Sequence, residues 1–294
     1  MTRKVLIVGA SGPLGRVVAG ELTPRGHDVT CASRSGVMGA GQHGSAPVRV
    51  EQLDATNAQQ VRQVLDLVRP SAVLYLARPK LDGEGGIAAR VDSSVDSLRS
   101  FAAECGRQGV ERVIFASSAA VYGTESASPR SETDDVVSDS PYAALKLRSE
   151  AVLSEIGEAG GFTVVSLRIF NVYGGGFSSS LVNRLVVGRG TPPLVHDTEG
   201  FVRDYIHASD VARAFALGLE APDSESAILN VGTGLGTTNR ALLELCPHAV
   251  YEASAKPDVA SFSVADTSRI RSLWGFEPRV TLQSAISEPD RFFG

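Results

Sequence analysis

The feature that most constrains this chain is a short apolar run, Lys4–Val8, that passes directly into Gly9-Ala-Ser-Gly12-Pro-Leu-Gly15 and then into a helical pattern. Glycine at those three positions admits few backbone paths. One permits a tight turn, another lets a pyrophosphate come close to the backbone, and the last allows a helix to pack against a sheet. The N-terminus of that helix offers unpaired N–H groups and the positive end of its dipole to a phosphate. Strand, glycine turn and helix at the front of the chain predict a dinucleotide site, with Ser11 and Leu14 between the glycines as further contacts.

Beyond the turn, short β-branched runs alternate with longer helical patterns up to about residue 170. Strands are expected at Lys4–Val8, His27–Ala32, Val48–Val50, Ala72–Leu76, Arg112–Ala116 and Thr163–Leu167. Helices are expected at Pro13–Pro24, Asn57–Arg69, Gly86–Gln108 and Tyr142–Ala159. Several strands are continuous apolar runs, which suits parallel strands buried on both faces. Such alternation implies right-handed crossovers and an α/β fold, a Rossmann-type doubly wound parallel sheet. Later, Gly174–Gly176, Ser178–Ser180 and Pro192-Pro193 punctuate shorter elements: a helix near Asp210–Leu219, a strand at Ala227–Val231 and a helix near Thr238–Leu245. Residues 1–170 are expected to form the NAD(P)-binding domain, with the chain returning to it within 206–234. Residues 171–205 and 235–294 are expected to form a smaller C-terminal substrate-binding lobe.

The end of the second strand bears on the cofactor. An adenosine ribose with a free 2′-hydroxyl calls for an acidic residue there, yet the chain has Ser33-Arg34. A hydroxyl and a guanidinium suit a 2′-phosphate, so NADP(H) is the expected cofactor and NAD(H) the alternative. Asp54, followed by Ala55, is placed to meet the adenine edge. Leu76, Ala77 and Arg78 follow the fourth strand beside the cofactor path, and nothing in the sequence accounts for the arginine.

Chemistry is expected at the carboxyl ends of the same strands. Ser117-Ser118 closes the fifth strand, and Tyr142-Ala-Ala-Leu-Lys146 opens the next helix. Tyr and Lys at i and i+4 share a helix face, so the ammonium is expected beneath the phenol, lowering its pKa. Six tyrosines and four lysines in 294 residues give only about 0.08 such pairs by chance. Tyr142 is thus the candidate acid–base, Lys146 its support, and Ser118 the hydrogen-bond partner of the substrate oxygen.

Composition narrows partners and compartment. With 28 basic against 33 acidic residues the formal net charge is −5, which speaks against nucleic acid or an anionic membrane as the main partner. No stretch reaches the ~18 apolar residues of a bilayer span, and glycines interrupt the first apolar run too early for a signal peptide. Cys31, Cys105 and Cys246 include no C-x-x-C, and no histidine pair has metal-ligand spacing. Free thiols in the cytoplasm and no metal are the expectation.

Taken together, these residues resemble the extended short-chain dehydrogenase/reductases, in the NAD(P)-dependent epimerase/dehydratase group that acts on nucleotide sugars. The likeness rests on Gly9-x-x-Gly12-x-x-Gly15, Ser117-Ser118-Ala-Ala-Val-Tyr-Gly123 and Tyr142-x-x-x-Lys146. Arg168-Ile-Phe-Asn171-Val-Tyr-Gly174, Arg203-Asp-Tyr-Ile-His-Ala-Ser-Asp210 and Asn230-Val-Gly-Thr-Gly234 extend it through the later half. The resemblance implies that Asn171 and Arg203 meet the substrate diphosphate, with Lys256 in a clamp position where arginine is usual. It also implies dimerisation through the helices at Gly86–Gln108 and Tyr142–Ala159. Two departures stand out: Ala119-Ala120 replaces the Asp-Glu pair of the dehydratases, so dehydration is not expected, and Asp92 replaces a common Asn. With Ser33-Arg34, the resemblance points to an NADPH-dependent 4-ketoreductase acting on a dTDP-4-keto-6-deoxyhexose. The alternatives are a nucleotide-sugar 4-epimerase and, in another class, a non-catalytic NADP(H)-sensing protein.

Overall fold

The computed structural model describes residues 2–38, 48–79, 81, 86–188, 190–196, 199–222, 226–254 and 260–293. Its first half alternates as expected: β1 Lys4–Val8, α1 Pro13–Leu22, β2 Asp28–Ser33, β3 Arg49–Gln52, α2 Ala58–Val68, β4 Ala72–Tyr75, α3 Ile87–Arg107, β5 Arg112–Ser118, α4 Pro141–Gly160 and β6 Thr163–Ile169. There follow β7 Asn171–Tyr173, α5 Leu181–Val187, β8 Leu194–Val195, β9 Phe201–His207, α6 Ala208–Glu220 and β10 Ala227–Val231. The chain continues through β11 Gly236–Thr238, α7 Asn239–Leu245, β12 Glu252–Ala253, β13 Ser261–Ser263, α8 Ser268–Trp274, α9 Leu282–Ser287 and α10 Pro289–Phe292.

Seven parallel strands form the main sheet in the order β10-β6-β5-β4-β1-β2-β3. The order reverses at β1, which opens a crevice at the carboxyl ends of β1 and β4. Alternate side chains of β1 serve the two faces. Val5 and Ile7 pack with Val18 and Leu22 of α1 and Val211 and Phe215 of α6. Leu6 and Val8 pack with Val61 and Leu65 of α2, Leu98 and Phe101 of α3 and Leu153 of α4. Each such side chain is essentially fully buried, worth ~1.5–3 kcal/mol relative to exposure.

Local signals fix the helix starts. The Asn57 side chain accepts from Gln59 N–H at 3.0 Å and Gln60 N–H at 3.1 Å, and the Val61, Val64, Leu65, Val68 stripe of α2 then faces the sheet. In α4 the Ser140 hydroxyl accepts from Ala143 N–H at 3.1 Å, with Pro141 in the first turn. Outside the main sheet, β9 pairs with β7, β11 and β13, and β8 pairs with β12. Between these small sheets and α5, α7, α9 and α10 lies a separate core around Tyr173, Val182, Val195 and Leu242.

Candidate active site

The glycine turn separates what the fold demands from what a ligand would demand. Gly9 has φ +88°, and a Cβ there would lie 2.6 Å from the Ala77 backbone nitrogen. A Cβ on Gly15 would lie 2.5 Å from the Ala10 Cα. At Gly12 an added Cβ would meet only the Gly9 carbonyl, at 3.4 Å. Folding alone therefore needs Gly9 and Gly15, whereas Gly12 keeps a concavity open at the N-cap of α1. No side chain caps that helix, so its first N–H groups are left for an outside acceptor. This cradle fits a dinucleotide pyrophosphate.

From the turn runs a cleft of about 590 Å³. Gly9, Ser11, Gly12, Leu14 and Gly15 line one end, with Ser33, Arg34, Asp54 and Ala55 beyond them, and Leu76, Ala77, Arg78, Ser118, Tyr142 and Lys146 line the other. Every residue expected at the cofactor and at the proton-transfer centre thus borders one space. At the Ser33–Arg34 end the chain turns after β2: Ser33 O accepts from Leu53 N–H at 2.9 Å, and Arg34 O accepts from Gln52 Nε2 at 3.1 Å. These contacts hold the strand end while the Arg34 guanidinium stays exposed. Asp54 accepts from the backbone N–H and hydroxyl of Thr56, at 3.0 and 2.8 Å. Those bonds, aided by the charge of Arg34, hold its carboxyl below the usual range.

The other end is built from side chains. Burial raises the Tyr142 hydroxyl above its ordinary pKa, while a hydrogen bond with Ser118 and the charge of Arg78 pull it down. Upward is the net direction, which corrects the expectation that Lys146 would dominate and lower it. The Lys146 ammonium stands 5.6 Å from the Tyr142 ring centroid, donates to Ala116 O at 2.6 Å and lies over the Phe115 ring. Burial, with Arg78 as the second cause and Glu150 opposing, pushes it down to about 8. Arg78 places its guanidinium carbon 5.3 Å from the Tyr142 centroid.

Behind this pair lies a buried network that sequence reading missed. Ser117 Oγ donates to Glu150, and Arg168 binds both oxygens of the same carboxylate at 3.1 and 2.8 Å. Arg168 also donates to the Tyr122 hydroxyl at 3.0 Å, which donates to Asn230 Oδ1 at 2.8 Å. The ends of β5, β6 and β10 and the Lys146–Glu150 face of α4 are thereby tied together. The i, i+4 spacing of Lys146 and Glu150 was the available signal.

Asn171 and Arg203, expected at the substrate diphosphate, are not among the residues that line this cleft. Asn171 Nδ2 donates to Asp204 O at 3.1 Å. Arg203 donates to Val202 O, Ser261 O and Ser261 Oγ at 2.7–2.9 Å and stacks 3.9 Å from the Phe201 ring centroid. Lys256 lies outside the described residues. Asp92 is paired with Arg148 at 2.6 Å across the α3–α4 surface. Among the described residues no helix is long and apolar enough to cross a membrane, and no group of three or more His, Cys, Asp or Glu could hold a metal.

Known proteins share this fold. Residues 5–232 match the family model described as the NAD dependent epimerase/dehydratase family. The UDP-glucose 4-epimerase of Azospirillum brasilense is 28% identical over 312 residues, covering 94% of this chain and 87% of that protein. Among solved structures, the Thermus thermophilus UDP-glucose 4-epimerase in complex with NAD is similar at TM-score 0.79 and 28% identity, over 96% of both chains. The UDP-glucose 4-epimerase from Stenotrophomonas maltophila, with bound NAD and formylated UDP-arabinopyranose, gives TM-score 0.84 at 26% identity, over 97% of this chain and 96% of that one. With a glycine turn and Ser118, Tyr142 and Lys146 on one cleft and a family match spanning most of its length, this chain belongs to the NAD dependent epimerase/dehydratase family and is an enzyme of the extended short-chain dehydrogenase/reductase type.

Proposed function

We propose that this protein is a nucleotide-sugar 4-epimerase, inverting C4 of a UDP-linked hexose by reversible oxidation at that carbon. The observation that carries this reading is the convergence of Ser118, Tyr142 and Lys146 on the wall of the cleft that begins at the glycine turn. Epimerisation needs one group that takes the C4 hydroxyl proton and gives it back. A tyrosine hydroxyl that shares the cleft wall with a serine and is flanked by cations is suited to both directions. The glycine turn and the α1 N-terminus would hold the pyrophosphate of NAD(P), Ser33 and Arg34 its adenosine end, and Lys146 the ribose beside Tyr142. When bound, that cofactor supplies reversible hydride acceptance at C4. Ser118 steadies the C4 oxygen as charge develops on it, and Tyr142 moves the proton. The wide similarity to UDP-glucose 4-epimerases supports the choice of reaction and of UDP.

A second reading, reduction of a dTDP-4-keto-6-deoxyhexose by NADPH, is favoured by one observation, the basic Ser33-Arg34 end of β2. The purified protein is mixed with UDP-glucose, and separately with the 4-keto sugar and NADPH, while reduced cofactor is followed by absorbance. UDP-galactose formed without net change in reduced cofactor is the expected result. Stoichiometric loss of NADPH with the keto sugar alone replaces the epimerase by the reductase.

A further inference from the structure

We propose that Arg78 is a positioning residue for proton transfer, its guanidinium stabilising negative charge on the Tyr142 oxygen. The inference rests on the assignment of Tyr142 as the acid–base, but its geometry stands apart from any particular sugar. Arg78 follows β4 on the rim of the cleft, its guanidinium carbon 5.3 Å from the Tyr142 ring centroid. Among the described residues no carboxylate forms a salt bridge with it.

Among the described residues, the charged groups that act on Tyr142 and Lys146 are Arg78 and Glu150. Arg78 arrives from the loop after β4, and Glu150 from α4 itself, where Arg168 of β6 binds it. The neighbouring end of β5 contributes only the hydroxyls of Ser117 and Ser118. Lys146, buried and donating to Ala116 O, loses its proton across about pH 8. A guanidinium keeps its charge throughout that range. Arg78 thus provides the cation that persists at the phenol where the lysine becomes neutral. Its charge is also among the causes that lower both the tyrosine and the lysine.

The test follows the phenol directly. Tyrosine labelled at Cζ with the NMR-active carbon isotope is incorporated, the Tyr142 signal is assigned by its loss in Tyr142→Phe, and its titration is compared in parent, Arg78→Gln and Arg78→Lys. Arg78→Gln is expected to move the Tyr142 midpoint to higher pH and to lower neutral-pH turnover about tenfold, with KM little changed. Arg78→Lys is expected to restore most of both. A midpoint unmoved in Arg78→Gln overturns the proposal, and so does a loss confined to KM or to cofactor affinity, which would make Arg78 a phosphate or substrate contact. Because the titration needs no substrate, a parent protein that fails to epimerise UDP-glucose yet shows the Arg78-dependent midpoint sinks the proposed reaction and leaves this inference standing.

Discussion

The two ends of the cleft are made of different material. At the glycine turn the backbone does the work, and the design variable is space: a Cβ on Gly9 or Gly15 would enter other backbone at 2.6 or 2.5 Å. At the Tyr142 end side chains shape the wall, and the design variable is charge, with Arg78 and Lys146 beside the phenol and Glu150 acting on Lys146. The first end tolerates no extra atom, and the second no missing proton donor or cation. One active site can therefore fail sterically or electrostatically, and the failures have different signatures.

The largest expected effect is at the charged end. Tyr142→Phe is expected to lower turnover about 10²–10⁴-fold, with melting temperature and cofactor binding near the parent's. Retained turnover would show that proton transfer runs through another group. Next comes the turn, where the same substitution three residues apart is expected to split. Gly15→Ala should destabilise the fold by ~1–3 kcal/mol or more, because the Ala10 backbone has to shift. Gly12→Ala should melt like the parent yet bind NAD(P) weakly, as the room it fills is the ligand's. Calorimetric melting with and without cofactor checks both, and equal melting temperatures for the two variants would break the steric contrast. The smallest effect is expected at the adenosine end. Arg34→Ala should weaken NADPH by about tenfold, the scale of a lost hydrogen bond to a charged group, and leave NADH nearly unchanged. Equal effects on the two dinucleotides, measured by fluorescence titration, would remove the 2′-phosphate reading.

How much can be read from the sequence divides along the same line. The steric end is legible because a glycine spacing after an apolar strand encodes its own geometry. The strand Ala227–Val231 is legible to the residue, being a short apolar run between turn residues. Strands β5 and β6 run past their apolar stretches to Ser118 and Ile169 because Ser117 and Arg168 are satisfied by Glu150 inside the fold. Periodicity reads such residues as strand ends, since the carboxylate that neutralises them sits on a separate helix. Arg78 is opaque for the same reason: only the fold brings the loop after β4 to the face of α4. Arg203 resembles a phosphate ligand in its motif, but its guanidinium is held by Ser261 and Val202 and packed on Phe201.

Strand β10 carries a consequence for the order in which the protein is made. Its partner β6 ends at Ile169, but β10 begins only at Ala227, after the chain has left the main sheet and returned. During synthesis at about 5–20 residues per second, the apolar edge of β6 waits on the order of 3–12 s for its neighbour to emerge. Until then Val165, Leu167 and Ile169 sit on an open parallel edge, and the Tyr122 hydroxyl has not met Asn230. Chains stalled before residue 227 should expose that edge and be captured by chaperones or by one another. The last strand of the sheet thus acts as a signal of completion, sealing the edge only once most of the enzyme has been delivered.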